Sequence, residues 1–128
     1  MKDIGILGAG GLVLLVIGGW SGLLLYVSLA KPKGWARIKE WPRLRQGHVD
    51  ALIIGAVLIA ADALVTVDPV TSLVLLASGY YTAISTGALA WWPDFPQRTR
   101  WVSRLDLISL TAFAASWTWV AVRTIASL

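Results

Sequence analysis

The stretch that decides the fold is residues 4–30, IGILGAGGLVLLVIGGWSGLLLYVSLA, which contains no charged side chain. A helix needs about 20 apolar residues to cross the hydrocarbon core of a bilayer, so this stretch predicts a first membrane span, about 4–30. Further apolar stretches follow at about 48–67, 70–92 and 103–126. Because the links between them are short, residues 1–128 are predicted to form one all-α transmembrane domain, an antiparallel four-helix bundle.

The composition supports this prediction and excludes several classes of protein. Hydrophobic residues make up 57% of the chain and charged residues only 14%, far from the balance of a soluble fold. There is no cysteine, which rules out disulfides, thiolate nucleophiles and covalent c-type haem. The net charge of +4 resides in short segments beside apolar runs, a pattern that indicates a membrane surface and not a nucleic acid as partner.

The distribution of basic residues predicts the orientation in the membrane. Lys2 and Arg123 lie toward one side. The other nine basic residues lie in or beside the first and third links: Lys31, Lys33, Arg37, Lys39, Arg43, Arg45, Arg98, Arg100 and Arg104. Cytoplasmic segments are enriched in Lys and Arg, so both links are expected in the cytoplasm. The chain is then a multi-pass protein of the cell (inner) membrane with both termini extracytoplasmic.

Small residues on the first helix predict close helix contacts. Gly11, Gly18 and Gly22 lie near one face, and helices in lipid associate through such faces because their backbones can approach closely. The contact could be within the subunit or between subunits, and the second possibility predicts a homo-oligomer.

Hydroxyl groups form a broad stripe on the third helix, at Thr71, Ser78, Tyr81, Thr82 and Ser85. Hydroxyls in hydrocarbon need partners, so this face is expected to point into the bundle. Such a stripe either holds helices together or lines a substrate cavity. Under the second interpretation Tyr81, Thr82 and Ser85 are the candidate catalytic residues.

The only histidine, His48, begins the second predicted span. At 100° per residue it shares a stripe with Gly55, and the small Ala51 and Gly55 leave room beside it for a flat ligand. His48 is either a hydrated headgroup residue or a ligand of metal or haem. With one histidine, no cysteine and only the initiator methionine, one subunit lacks the His and Cys ligands for a zinc site, but a single axial bond to haem b stays open.

The carboxylates within the predicted spans have structural interpretations. Ser103 and Asp106 are spaced like a capping box that begins the fourth helix. Asp50 is interpreted in the same way, near the start of the second helix. Asp62 lies deep in a span, where a carboxylate is costly unless paired, and Arg123 is its predicted partner.

Several of these residues carry a resemblance to a known family. Gly34-Trp35-Ala36-Arg37, the basic stretch before His48, the spacing from His48 to Gly55, and Ser103-Arg104-Leu105 resemble small four-span membrane isomerases. That family comprises styrene oxide isomerase and the related hydroxylaminobenzene mutases. The resemblance implies a homotrimer that binds haem b through His48 and rearranges a small hydrophobic epoxide or hydroxylamine as an intramolecular isomerase.

The chain departs from the family at two points. The family has an asparagine immediately before the glycine that aligns with Gly55, where this chain has Ile54, and its third-helix tyrosine is not in register with Tyr80 or Tyr81. The missing asparagine argues for a substrate other than styrene oxide, or for a member that binds haem without that reaction. The alternative hypothesis is a non-catalytic membrane scaffold or assembly subunit; a small transporter, in which Asp62 carries a proton, ranks third.

Overall fold

A computed structural model describes residues 3–128, so Met1 and the predicted placement of Lys2 lie outside it. This part of the chain is all-helical and contains no strand. Its elements are α1 (Ile6–Leu29), a 3-10 turn (Trp35–Arg37), α2 (Trp41–Leu64), α3 (Pro69–Ala88), α4 (Phe95–Arg98) and α5 (Arg100–Ala126).

Three of these helices, α1, α2 and α5, are long and apolar enough to cross a membrane. The predicted third span corresponds to α3, a helix of 20 residues that includes many hydroxyl side chains. The molecule also exposes large apolar side chains over much of α1 and α5, for example Trp20 at 69% and Leu107 at 67%. Soluble proteins rarely expose apolar patches on this scale, and a lipid environment removes the difficulty.

Helices α1 and α2 form the most extensive helix–helix contact among the described residues. The N-terminal part of α2 lies beside the C-terminal half of α1, and the two backbones touch where Gly11 meets Gly55. A Cβ atom added at Gly11 would lie 2.6 Å from the carbonyl oxygen of Gly55. The glycines predicted to make helix contacts on α1 are therefore used within the chain.

Helix α3 joins this pair to α5. Gly47 of α2 approaches Gly87 of α3, where an added Cβ would lie 2.6 Å from the Gly87 amide nitrogen. On the other side of α3, the Ser109 hydroxyl donates a hydrogen bond of 3.1 Å to the Ser78 carbonyl. The fully buried core between the helices is small; its largest members are Leu7, Leu14, Leu58 and Leu75.

Two helices begin earlier than expected. Helix α2 begins at Trp41, so His48 and Asp50 lie in its second and third turns, and the capping interpretation of Asp50 is wrong. Helix α5 begins at Arg100 with Thr99 before it, so Asp106 does not cap it with Ser103. Both predictions were based on hydropathy, which identifies only the apolar part of a helix. The helix itself extends further, through polar residues such as Arg43, because polar residues are favourable in an exposed first turn.

The link between α2 and α3 ends at a proline. Asp68 precedes Pro69 and accepts hydrogen bonds from the Thr71 amide (3.0 Å) and the Thr71 hydroxyl (2.6 Å), which ends the link and begins α3. These hydrogen bonds from Thr71 lower the pKa of the Asp68 carboxyl, because they stabilise its charged form.

The first and third links meet at one end of the molecule. The amides of Lys39 and Glu40 donate to the Ala90 carbonyl at 2.8 and 3.0 Å, and the Trp91 indole donates to the Ala36 carbonyl at 3.0 Å. A small apolar cluster of Ile38, Leu44 and Ala90 packs beneath these bonds. The two links, which have nine of the eleven basic residues in or beside them, therefore lie at the same end of the molecule.

Candidate functional site

The imidazole of His48 lies against the backbone of α1. Gly22 faces it without a side chain, and a Cβ atom at that position would lie 2.6 Å from His48 Cε1. Nδ1 of His48 is 2.7 Å from the Gly18 carbonyl oxygen, and the Ser21 hydroxyl, which donates to the same carbonyl at 2.8 Å, is 3.4 Å from Nδ1. The glycines of α1 thus create the space in which the ring lies.

This hydrogen bond determines the tautomer of the neutral ring. A carbonyl oxygen can only accept, so Nδ1 carries the proton and Nε2 retains its lone pair. Within residues 3–128 Nε2 has no hydrogen-bond partner. Every fully buried side-chain nitrogen or oxygen in this part of the chain has a partner, so Nε2 is not fully buried and is accessible. Histidines that bind metals have this arrangement, in which the second ring nitrogen donates to a carbonyl and orients the first.

An apolar groove of about 440 Å³ lies beside the ring, between the C-terminal halves of α1 and α3 and the first half of α2. Ser21 and His48 are its polar members; small residues and tryptophans supply most of the remaining surface, including Gly47, Ala51, Gly87 and Trp91. The groove is open on its outer side. Its lining suits an apolar ligand that His48 can hold by one bond, since the lining contains no second imidazole and no carboxylate.

The structure separates the residues predicted to bind a cofactor. His48 and Ala51 both line the groove. Gly55 lies farther along α2 and is used in the contact with Gly11, where a Cβ atom would come within 2.8 Å of the Gly11 carbonyl oxygen. Of the three, His48 and Ala51 therefore share a site, and Gly55 brings the helices that carry it together.

The candidate catalytic residues Tyr81, Thr82 and Ser85 do not line the groove. The Tyr81 hydroxyl donates to Asp106 of α5 at 2.9 Å. Thr82 and Ser85 donate to carbonyls of their own helix, those of Ser78 and Thr82. These are the bonds expected of a stripe that satisfies hydroxyls and joins helices.

Asp62 and Arg123 have identifiable neighbours. The Asp62 carboxylate accepts a hydrogen bond of 2.9 Å from the Gly5 amide, just before the first turn of α1, where a negative charge is favoured by the exposed amides of a helix N-terminus. The Arg123 guanidinium lies 5.8 Å from the centre of the Trp119 ring, and its charge contributes to the lowered pKa of Asp68. Asp62 therefore helps to hold α1 against the end of α2.

Within residues 3–128 there is no group of three or more His, Asp or Glu side chains that could hold a metal ion. A ligand at His48 would therefore be held by one protein bond and by contact with the groove. Haem b fits this donor set, because its porphyrin supplies four of the iron ligands and the protein need supply one imidazole.

Sequence reasoning missed the partners of His48. Gly18 and Gly22 were visible as a small-residue face, and His48 as a polar residue on a neighbouring helix, but the contact between them depends on how α1 and α2 are aligned. That alignment depends on the backbone contact between Gly11 and Gly55, which no local pattern reveals.

Comparisons with protein-family models, with curated proteins and with solved structures found no match to this chain. The resemblance to the four-span isomerases in residues 34–37, 48–55 and 103–105 therefore stays a hypothesis. The case for a function depends on the geometry around His48.

Proposed function

We propose that this chain is an integral membrane protein that binds haem b through His48 and rearranges a small hydrophobic epoxide or hydroxylamine. The single observation that carries the proposal is the His48 ring, whose Nδ1 proton is bound to the Gly18 carbonyl at 2.7 Å while Nε2 stays accessible beside an apolar groove. This is the tautomer and the environment in which a histidine would hold the iron of haem b.

The membrane part of the proposal is a four-helix antiparallel bundle in which α1, α2, α3 and α5 all cross the bilayer. Three of them have the length and hydropathy of a span, and the hydroxyls of α3 find partners inside the protein, as a span with polar side chains requires. The contact between the first and third links supports a common cytoplasmic side for the two basic segments, with both termini extracytoplasmic.

The site part of the proposal assigns a task to each residue. His48 holds the cofactor, the Gly18 carbonyl keeps its ring in the Nδ1–H tautomer, and Gly22 leaves the space that the ring needs. When bound, haem b would supply a Lewis-acidic iron that can polarise an oxygen or nitrogen atom of the substrate. The groove excludes water with its apolar wall, and its open side allows a hydrophobic substrate to enter from the bilayer.

Oligomerisation belongs to the same proposal. The groove is open outward and the exposed apolar faces of α1 and α5 are large, so a homotrimer of the kind that the resemblance implies would cover part of this surface. Size-exclusion chromatography with light scattering of the protein in detergent measures the number of subunits.

Titration of the purified protein with hemin tests the assignment of His48. The wild-type protein is expected to develop a Soret band, and His48→Ala to lose it while keeping its helical circular dichroism. Gly22→Ala is expected to weaken haem binding by about 10- to 100-fold, the loss typical of disturbing a residue that orients a metal ligand. Gly19→Ala is the matched control, because nothing lies within 4 Å of the added methyl group.

The outcome also decides between catalysis and the alternative. Haem-loaded protein should convert an aryl epoxide to a carbonyl compound or rearrange an aryl hydroxylamine, and His48→Ala should not. Protein that fails to take up hemin, with a melting temperature that His48→Ala leaves unchanged, would instead identify a non-catalytic membrane scaffold or assembly subunit. The internally satisfied hydroxyls of α3 favour that alternative most directly.

A further inference from the structure

A second cavity lies at the end of the molecule where the basic links meet. It has a volume of about 540 Å³ and is formed by the C-terminal end of α1, the following link and the first turn of α2. Three lysines line it, Lys31, Lys33 and Lys39, together with one carboxylate, Glu40. We call it the link cavity; it is separate from the groove beside His48 and shares no residue with it.

The charge of the link cavity is not balanced. Within residues 3–128 no hydrogen bond or ion pair involves the ammonium groups of Lys31, Lys33 or Lys39. Glu40 is the only acidic residue in the lining, so the walls carry a net charge of +2. Three like charges around one concavity repel each other, and an anion placed among them relieves that repulsion.

The backbone around the link cavity is held in an unusual conformation. Gly34, Ala36 and Arg37 have φ values of 84°, 53° and 59°, in the left-handed region that residues with a Cβ atom avoid. The bonds from Lys39 and Glu40 to Ala90, and from Trp91 to Ala36, keep the link in this shape. Strained backbone of this kind persists where the surroundings determine it, and it is concentrated at binding sites.

The walls also carry apolar surface beside the lysines. Trp35 and Trp41 line the link cavity and are partly exposed, and Leu29 at the end of α1 has 59% of its surface exposed. Indole rings favour the headgroup region of a bilayer because they combine an apolar ring with a polar N–H. A site with three ammonium groups and an apolar edge suits an anion that is attached to an acyl chain.

We propose that the link cavity binds the phosphate group of an anionic phospholipid, with Lys31, Lys33 and Lys39 around the phosphate and Trp35 and Trp41 beside the glycerol and acyl chains. The proposal depends on the membrane part of the proposed function and not on haem. A free phosphate ion offers the same headgroup chemistry without the acyl chains, so the experiment separates the two.

Native mass spectrometry of the protein in detergent, titrated with phosphatidylglycerol or phosphatidylcholine, measures the binding. Phosphatidylglycerol should bind in preference to phosphatidylcholine. Replacing all three lysines by glutamine should weaken phosphatidylglycerol binding by about fivefold per lysine, on the order of a hundredfold in total. The control replaces three basic residues in or just after the third link, which lie outside the cavity lining, by glutamine: Arg98, Arg100 and Arg104. It removes the same charge and should weaken binding much less.

Three outcomes would overturn the proposal. Equal weakening by the two triple variants would mean that lipid binding depends only on the net charge of the protein. Equal binding of phosphatidylglycerol and phosphatidylcholine would show that the cavity does not select an anion. Displacement of phosphatidylglycerol by millimolar inorganic phosphate would show that the site holds a free phosphate ion. Glu40→Gln is a milder variant that keeps the proposal testable if the triple lysine variant does not fold. It removes the one negative charge of the lining and should therefore tighten phosphatidylglycerol binding. No tightening would count against the proposal.

A haem-free protein that binds phosphatidylglycerol at the link cavity would contradict the proposed isomerase and leave the lipid site standing. A protein that binds haem but shows no preference between the two lipids would contradict the lipid site and leave the proposed function standing.

Discussion

The contact between Gly11 and Gly55 leads to a quantitative prediction for the substitution Gly11→Ala. An added methyl carbon would lie 2.6 Å from the Gly55 carbonyl oxygen and 3.1 Å from the Ile59 amide nitrogen, both backbone atoms that cannot rotate away. Ordinary contact for such an atom begins at about 3.4 Å, so α1 and α2 would have to separate locally by about 0.8 Å.

The expected magnitude follows from two opposing effects. Forcing an extra methyl group into a close contact costs about 1–3 kcal/mol, and replacing glycine by alanine within a helix returns up to about 1 kcal/mol. Gly11→Ala is therefore expected to lower the free energy of unfolding by about 1–2 kcal/mol. Gly19→Ala has only the second effect, because nothing lies within 4 Å of the new methyl group, and should be neutral or stabilising.

Reversible denaturation in mixed detergent micelles, followed by circular dichroism, measures both variants. The variant with Ala at both 11 and 55 adds an internal test, because helices already separated by one methyl group should lose less from the second, so the two losses should not add. Equal stability of Gly11→Ala and Gly19→Ala would refute the backbone contact on which the alignment of α1 and α2 depends.

Three further predictions address the links and the α3–α5 contact. Hydrogen bonds from Thr71 lower the pKa of Asp68 in the folded protein. Asp68 should therefore stabilise the fold above its unfolded pKa of about 4, and this contribution should be lost as the pH falls through the folded pKa. Asp68→Asn still accepts from the Thr71 amide, so melting curves between pH 6 and pH 3 should show a smaller loss of stability in acid for this variant. Ala36→Gly should raise the free energy of unfolding by up to about 1 kcal/mol, since glycine adopts φ 53° without strain, and a lower melting temperature would contradict the left-handed conformation. Tyr81→Phe should lower the free energy of unfolding by about 1 kcal/mol because it removes the hydrogen bond to Asp106, and a double-mutant cycle with Asp106→Asn should show strong coupling. The Soret band of haem-loaded protein should stay in place. Loss of that band would instead support a role for Tyr81 at the haem site.

Much of the helical architecture follows from local pattern. Residues 4–30 predict a helix, and α1 covers Ile6–Leu29; the short gap between the predicted spans 48–67 and 70–92 predicts a tight link, and α3 begins at Pro69. The errors occur at polar helix ends, at Trp41 and Arg100, because hydropathy reports the preferred solvent of a segment and carries little information about its backbone hydrogen bonds.

The sequence and the structure contribute different information about the candidate site. The sequence predicted small residues beside His48 at Ala51 and Gly55; in the structure His48 and Ala51 line one groove, and Gly55 lies outside it. The hydroxyls at Tyr81, Thr82 and Ser85 could be recognised as a stripe, but periodicity alone does not say which neighbour a helix face meets. The sequence therefore could not tell whether these hydroxyls lie near His48. The structure shows that they bond to α5 and to carbonyls of α3 itself.

By itself, the sequence determined that the chain is helical and strongly apolar, where its basic residues are concentrated, and that it has a single imidazole. These properties depend on each residue and its near neighbours, through helix propensity, transfer free energy and charge. Only the tertiary structure decided that the Gly18 carbonyl sets the tautomer of His48, that Gly22 makes room for its ring, and that the Gly11–Gly55 contact aligns the two helices. Such pairings join residues about 26 to 44 positions apart, and their register is a property of how whole helices pack, so no local pattern contains it.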